Sequence, residues 1–223
     1  MSLASHYRRP RAAVTLVMAL LLLSGAVQAA GRVTVLAKGG IVKLTGDEDH
    51  NGVFISQVTD GLVTITGEDT TVLRQVGSSD DLGDITVPLT QDLLIDLGAG
   101  NDSVILLNLT IPRDLRMKDK VGNNVLGLDG CTIGRHLNVN LPGNESVVFV
   151  DHSVIGDLQL VTSDGNDQIT ILHSEIHKKA AINARNSEDQ VILQSTIFTR
   201  GLAVNLSQGN DQMLADLLIL GGS

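Results

Sequence analysis

The chain holds no tryptophan, one tyrosine, one cysteine and four prolines among 223 residues. Tyr7 is the sole tyrosine, so from residue 30 onward the only aromatics are Phe54, Phe149 and Phe198. A sugar-stacking or base-stacking platform needs exposed aromatic rings, and this sequence cannot build one. Phe149 and Phe198 fall on apolar repeat positions and are expected in the core. With Cys131 alone, no intrachain disulfide can form and stability must come from burial. Cys131 sits in an apolar run, where a small buried hydrophobe is expected. Basic residues are few: 16 Lys and Arg stand against 25 Asp and Glu, a net charge of −9. That balance excludes nucleic acid as a partner, because phosphates require a basic footprint. It suits cations.

Long hydrophobic runs are also scarce. The one clear example, Ala12 to Leu23, is short for a membrane span. Arg8, Arg9 and Arg11 precede it, and Val27-Gln28-Ala29 follows with small residues at the two recognition positions. This is the pattern of an export signal, with cleavage expected after Ala29. No membrane span is expected after its removal, and the product is expected to be secreted or periplasmic. Losing three arginines and no acid takes the net charge from −9 to −12.

What is present is a repeat. Gly100-Asn101-Asp102, Gly122-Asn123-Asn124, Gly143-Asn144-Glu145, Gly165-Asn166-Asp167, Ser187-Glu188-Asp189 and Gly209-Asn210-Asp211 recur at intervals of 22, 21, 22, 22 and 22. Counting from the triplets gives apolar columns. One is Val104, Leu126, Val147, Ile169, Val191 and Met213. A second is Leu106, Leu128, Phe149, Ile171, Leu193 and Ala215. A third is Ile111, Ile133, Val154, Ile176, Phe198 and Leu220. Each unit holds short runs of period-two alternation broken by Gly, Asn, Asp and Ser, the mark of short strands. A fixed period of this length marks a solenoid, in which each coil buries its face only against its neighbours. A leucine-rich repeat shares the period but needs a leucine-dense consensus and a helical second half. Here that half carries Val, Ile, Thr and Ser, so an all-β parallel β-helix of about 22 residues per coil is expected.

Units of the form Leu-x-Val-x-Leu-x-x-Gly-Asn-Asp-x-Val-x-Val resemble the small secreted bacterial right-handed parallel β-helix proteins, and more distantly the pectate-lyase-like β-helix superfamily. The likeness covers residues 93–222 well and 31–92 loosely. It implies a right-handed single-stranded β-helix and says little about activity.

Residues 30–92 are expected to be an irregular start of the same domain as 93–223. Gly46 and Gly67 lie 21 apart among strand-like runs. Hairpins in 31–66 are expected to cap the N-terminal edge. Residues 77–88 interrupt the period and read as an exposed acidic loop. Leu214 to Leu220 leaves the other edge open, a candidate association surface.

Three sets of residues are candidates for binding. The first is the acid column Asp102, Asn124, Glu145, Asp167, Asp189 and Asp211. Carboxylates stacked about 4.8 Å apart repel by roughly 3.5 kcal/mol at an effective dielectric near 20. They must splay into solvent, hold calcium between them, or serve as Asx turns bonded to their own backbone. Beside them Asn101, Asn123, Asn144, Asn166 and Asn210 read as an inward asparagine ladder. The second set is Asp47-Glu48-Asp49-His50-Asn51-Gly52. Asp47, Asp49 and Asn51 place oxygens at positions one, three and five before a glycine, like the opening of a calcium loop. No closing carboxylate follows, and Asn51-Gly52 also reads as a hairpin turn. The third is a basic column, Arg113, Arg135, Lys178 and Arg200, with His136 and Lys179 beside it. It reads as a solvated turn, or as a row to meet an acidic polysaccharide or an envelope protein's carboxylates. His152 and His173 fall in neighbouring coils one position apart in phase, with no zinc spacing inside one element.

No serine-hydrolase elbow, metalloprotease motif or phosphate loop is present. The sequence therefore points to a non-catalytic extracytoplasmic scaffold or binding module. Two alternatives stand beside it: a calcium-stabilised matrix or adhesion protein, and a polysaccharide lyase or hydrolase acting on acidic glycans.

Overall fold

A computed structural model describes residues 30–216 and 218–221. The expected export signal and its cleavage point lie outside these. Every regular element among the described residues is a strand, and none of those residues forms a helix able to cross a membrane.

The N-terminal part contains β1 (Arg32–Lys38), β2 (Ile41–Thr45), β3 (Gly52–Thr59), β4 (Leu62–Glu68), β5 (Val72–Gln75) and β6 (Asp84–Pro88). The repeat region follows with β7 (Leu93–Asp96), β8 (Ser103–Leu107), β9 (Thr110–Ile111), β10 (Leu115–Lys118), β11 (Asn124–Asp129), β12 (Thr132–Asn140), β13 (Ser146–Asp151), β14 (Val154–Val161) and β15 (Gln168–Leu172). It ends with β16 (Glu175–Ile176), β17 (Ala180–Asn183), β18 (Gln190–Gln194), β19 (Ile197–Phe198), β20 (Leu202–Asn205), β21 (Gln212–Asp216) and β22 (Ile219–Leu220).

From β7 onward every strand pairs in parallel with its counterpart one coil away. The expected parallel β-solenoid is the observed fold. One sheet has 13 strands and the other nine. β12 and β14 each carry two strand positions in one long element, with a bulge after Ile133 where the chain bends. Such bulges bend a strand without ending its pairing.

The columns keep the expected register in five coils and are shifted by one residue in the third; in the last coil they lie at the uncovered edge, where Met213, Ala215 and Leu220 are exposed. Leu126 pairs with Val148, and Val148 with Ile169. Leu128 pairs with Val150, and Ile133 with Ile155. Val148, Val150 and Ile155 are fully buried, whereas Val147, Phe149 and Val154 turn to the half-buried outer side. The expected placement of Phe149 in the core is corrected accordingly, while Phe198 is fully buried. The missing residue lies not between Gly122 and Gly143 but at the Gly156-Asp157 corner. There Leu158 follows Ile155 after two residues, where Leu137 follows Ile133 after three.

The N-terminal edge is capped. β2 and β3 form the first coil, parallel to β7 and β8. β1 folds back on β2 and β4 on β3 as antiparallel hairpins, and β6 adds antiparallel to β4. The turns use Gly39-Gly40 and Asp60-Gly61, with positive φ at all three glycines, where glycine carries no Cβ penalty. Asn51-Gly52 is therefore not a hairpin turn; it leads into β3. Residues 84–88 of the expected acidic loop are strand β6, with Ile85 and Val87 buried. Pro88 suits this edge, since an edge strand has an N–H it need not donate. At the other end Met213, Leu214, Ile219 and Leu220 remain exposed on β21 and β22.

Candidate functional site

The acid column turns inward. Its true members are Asn51, Asp102, Asn124, Ser146, Asp167, Asp189 and Asp211, and the first six are buried. Each carboxylate accepts a backbone N–H from the coil before it. Asn51 N–H donates to Asp102 Oδ1 at 2.7 Å, and Ser146 N–H to Asp167 Oδ1 at 2.7 Å. Asp167 N–H donates to Asp189, and Asp189 N–H to Asp211, both at 3.0 Å. At Asp102 N–H the acceptor is Asn124 Oδ1, at 3.1 Å. The column thus closes the gap in backbone pairing at one corner, which answers the charge problem by hydrogen bonding.

Glu145 does not belong to it. The one-residue shift gives Ser146 the inward place and leaves Glu145 exposed in the neighbouring column. That neighbouring column is also corrected: Asn101, Asn123, Asn166 and Asn210 are exposed rather than inward, and Asn144 lies outside it. Asn123 N–H donates to Asn101 Oδ1 at 2.9 Å, and Glu145 N–H to Asn123 Oδ1 at 3.4 Å.

One partner of the acid column was not expected. Asp119 occupies the inward position held by Leu97 and Leu141 in adjacent coils and is buried beside Asp102. Asp119 Oδ1 accepts the Lys120 N–H. The remaining oxygen of each carboxylate, Oδ2, has no donor among the described residues. Burial first, then the Asp119 charge, raises the Asp102 carboxyl to about 8. Burial also raises Asp119, to about 6. A proton on one of the pair supplies the missing hydrogen bond.

The Asp47 carboxylate and the Asn51 amide nitrogen are bonded to the backbone. Asp47 accepts the N–H groups of Arg32 and Asp49. Asn51 is fully buried, and its amide donates to the carbonyls of Asp49 and Leu97. Asp49 itself is exposed. The residues resembling a calcium loop act in this fold as a corner brace.

The basic column runs along another corner, its first three cations each beside an acid one coil back. Arg113 Nε lies 3.6 Å from Asp92, Arg135 Nε 3.4 Å from Asp114, and Lys178 Nζ 3.6 Å from Asp157. Arg200 continues the line and is exposed. Asp114 is the hub: Arg116 donates to it at 2.8 Å and His136 Nδ1 lies at 2.9 Å. Burial works against its charge, but the bonds to His136 and Arg116 prevail, and its carboxyl is held below the usual range.

This corner opens onto a depression of about 450 Å³ on the outer face of the larger sheet. Arg116, His136, Asp157 and Lys179 line it together with Asn138 and Gln159. Asn138 Nδ2 donates to Gln159 Oε1 at 3.2 Å. Alternation fixes this arrangement, since Leu137, Val139, Leu158 and Leu160 turn inward and leave their neighbours outward. Arg116, Asn138 and Gln159 carried no separate signal in the sequence. Only their outward phase could have marked them.

Fold and corner chemistry define a capped parallel β-solenoid with buried polar ladders and a polar outer face. No protein family, curated protein or solved structure matches the chain.

Proposed function

We propose that the protein is a non-catalytic extracytoplasmic binding module, and that the outer face of the larger sheet takes an acidic, hydroxyl-rich chain such as an acidic polysaccharide. One observation carries this reading: the cations of Arg116 and Lys179, with the His136 ring, line a shallow, open depression together with the Asn138 and Gln159 amides. Amides and guanidinium groups recognise hydroxyls and carboxylates through paired hydrogen bonds. Successive coils repeat outward positions about every 4.8 Å, which suits a polymer lying across the strands. Shallowness favours holding an extended chain over enclosing a small molecule. The export pattern of residues 1–29 supports the extracytoplasmic setting.

Calorimetric titration with polygalacturonate, alginate and neutral dextran tests the proposal. Binding of the acidic polymers, weakened by salt and by Arg116→Gln with Lys179→Gln, is expected. Equal binding of dextran, or no effect of the paired substitution, overturns it. Release of unsaturated uronate products would replace it with the lyase reading.

A second reading, a calcium-stabilised matrix or adhesion protein, draws on the buried Oδ2 atoms of Asp102 and Asp119, which lack donors among the described residues. A calcium ion prefers such carboxylate oxygens and would compete there with the proton. Melting with calcium and with chelator separates the two.

A further inference from the structure

The corner that follows the smaller sheet carries a second constellation, distant in kind from the glycan-binding face. Coil after coil, the chain turns sharply here at a residue in the left-handed region: Asn108, Gly130, His152, His173 and Ser195 all have positive φ. Asparagine and glycine are the usual tenants of that conformation. In two successive coils the position is histidine instead. His152 and His173 stack with ring centroids 4.9 Å apart and planes within 20°. Their Nδ1 atoms converge on one oxygen, Asp151 Oδ1, at 2.9 and 3.0 Å.

Asp151 is firmly placed. Its side chain is buried, and Oδ1 also accepts the His152 backbone N–H at 2.9 Å. The next residue inward, Ser153, locks the turn by donating from Oγ to the Asp151 carbonyl at 2.8 Å. Asp129, one coil back, brings its Oδ1 to 3.8 Å from His152 Nδ1. The rings themselves are about half exposed, so the cluster is reachable from solvent.

We propose that His152, His173 and Asp151 bind a divalent transition-metal ion of the zinc type, with Asp129 or a water in the fourth position. The three donor atoms lie within 4.8 Å of one another. A tetrahedral zinc ion, with bonds of about 2.0–2.1 Å, holds its ligand atoms about 3.3 Å apart. Small turns of the two exposed rings close that difference. Two imidazoles and a carboxylate select zinc, nickel or copper over calcium and magnesium, which take oxygen. Without metal, each Nδ1 can donate to Asp151; with metal, the ion takes the place of those protons and ties two coils together.

The test is calorimetric titration of the whole exported chain with zinc chloride, followed by cobalt substitution and absorption spectroscopy. The variants are His152→Asn, His173→Asn and the double variant. Asparagine already stands at the equivalent Asn108 with positive φ, so these variants should keep the turn. Circular dichroism and melting without metal confirm that they fold. Saturation at one zinc per chain, at least about tenfold weaker in each single variant and abolished in the double, is expected. Zinc should raise the melting temperature of the wild type and leave the double variant unmoved. Failure of the wild type to bind, or unchanged binding by the folded double variant, overturns the proposal.

Discussion

Asp102 and Asp119 face one another inside a corner of the solenoid, and among the described residues neither Oδ2 has a hydrogen-bond donor unless one of the two carboxyls is protonated. Both folded-state values are raised, to about 8 and about 6, above the unfolded value near 3.9. The folded protein therefore binds more protons than the unfolded chain between those limits. Its stability falls as pH rises across the window, by roughly 1.4 kcal/mol per pH unit for each proton fully involved. Asp167, Asp189 and Glu68 are raised chiefly by burial and act in the same direction. Asp114 is lowered; its contribution is lost only as pH falls toward acid and does not oppose the trend near neutrality. Urea unfolding from pH 5 to pH 8 should show declining stability. Asp119→Asn should flatten the decline and exceed the wild type in stability at pH 8. A wild-type curve that rises toward pH 8 contradicts the shared proton.

The same pair decides the question of calcium. A proton held between the carboxylates leaves no need for a cation, so millimolar calcium should not shift the wild-type melting temperature at pH 5. A rise at pH 8 that disappears in Asp119→Asn would place calcium in that corner and favour the calcium-stabilised reading.

Gly165 packs where no Cβ fits. A Cβ there would lie 1.2 Å from the Asn144 carbonyl oxygen in the coil before it. Gly165→Ala must push two corners apart and should cost about 3 kcal/mol. At Gly83 nothing lies within 4 Å of such an atom, so Gly83→Ala should change stability little. Paired thermal melts check both. Equal loss in the two variants would contradict the tight stacking of corners.

Cys131 reports on the integrity of the stack. It is buried, its N–H donates to Ser153 Oγ at 3.1 Å, and burial pushes its thiol up to about 11. A thiol reagent at neutral pH should leave the folded protein untouched and modify it fully in denaturant. Rapid reaction under native conditions would show that this corner opens.

The solenoid was legible because the triplets recur with the period of the coil and the flanking residues alternate in five of six coils. The third coil misled for a physical reason. Val147, Val148, Phe149 and Val150 are all apolar, so alternation cannot say which pair faces inward. The triplet Gly143-Asn144-Glu145 sits one residue early, and the compensating deletion falls in the Gly156-Asp157 corner, where no periodicity exists to reveal it. Glu145 was misplaced for the same reason. The direction of the acid column was hidden as well, because carboxylates bury only when backbone donors await them, and those donors belong to the preceding coil. Asp119 did leave a trace, as a lone charge in a column otherwise held by Leu97, Leu141, Thr162, Ala184 and Leu206. The meeting of His152 and His173 with Asp151 depends on two left-handed corner residues, which spacing along one strand cannot show.

Thermal melting of Val148→Asp against Val147→Asp tests the stacking register most directly. Val148 lies between Leu126 and Ile169 with no exposure, while Val147 faces outward on the same strand. An unpaired charge at position 148 should cost several kcal/mol and abolish cooperative unfolding, whereas at position 147 the cost should stay within about 1 kcal/mol. The reverse order of damage would contradict the coil-to-coil pairing on which the account rests.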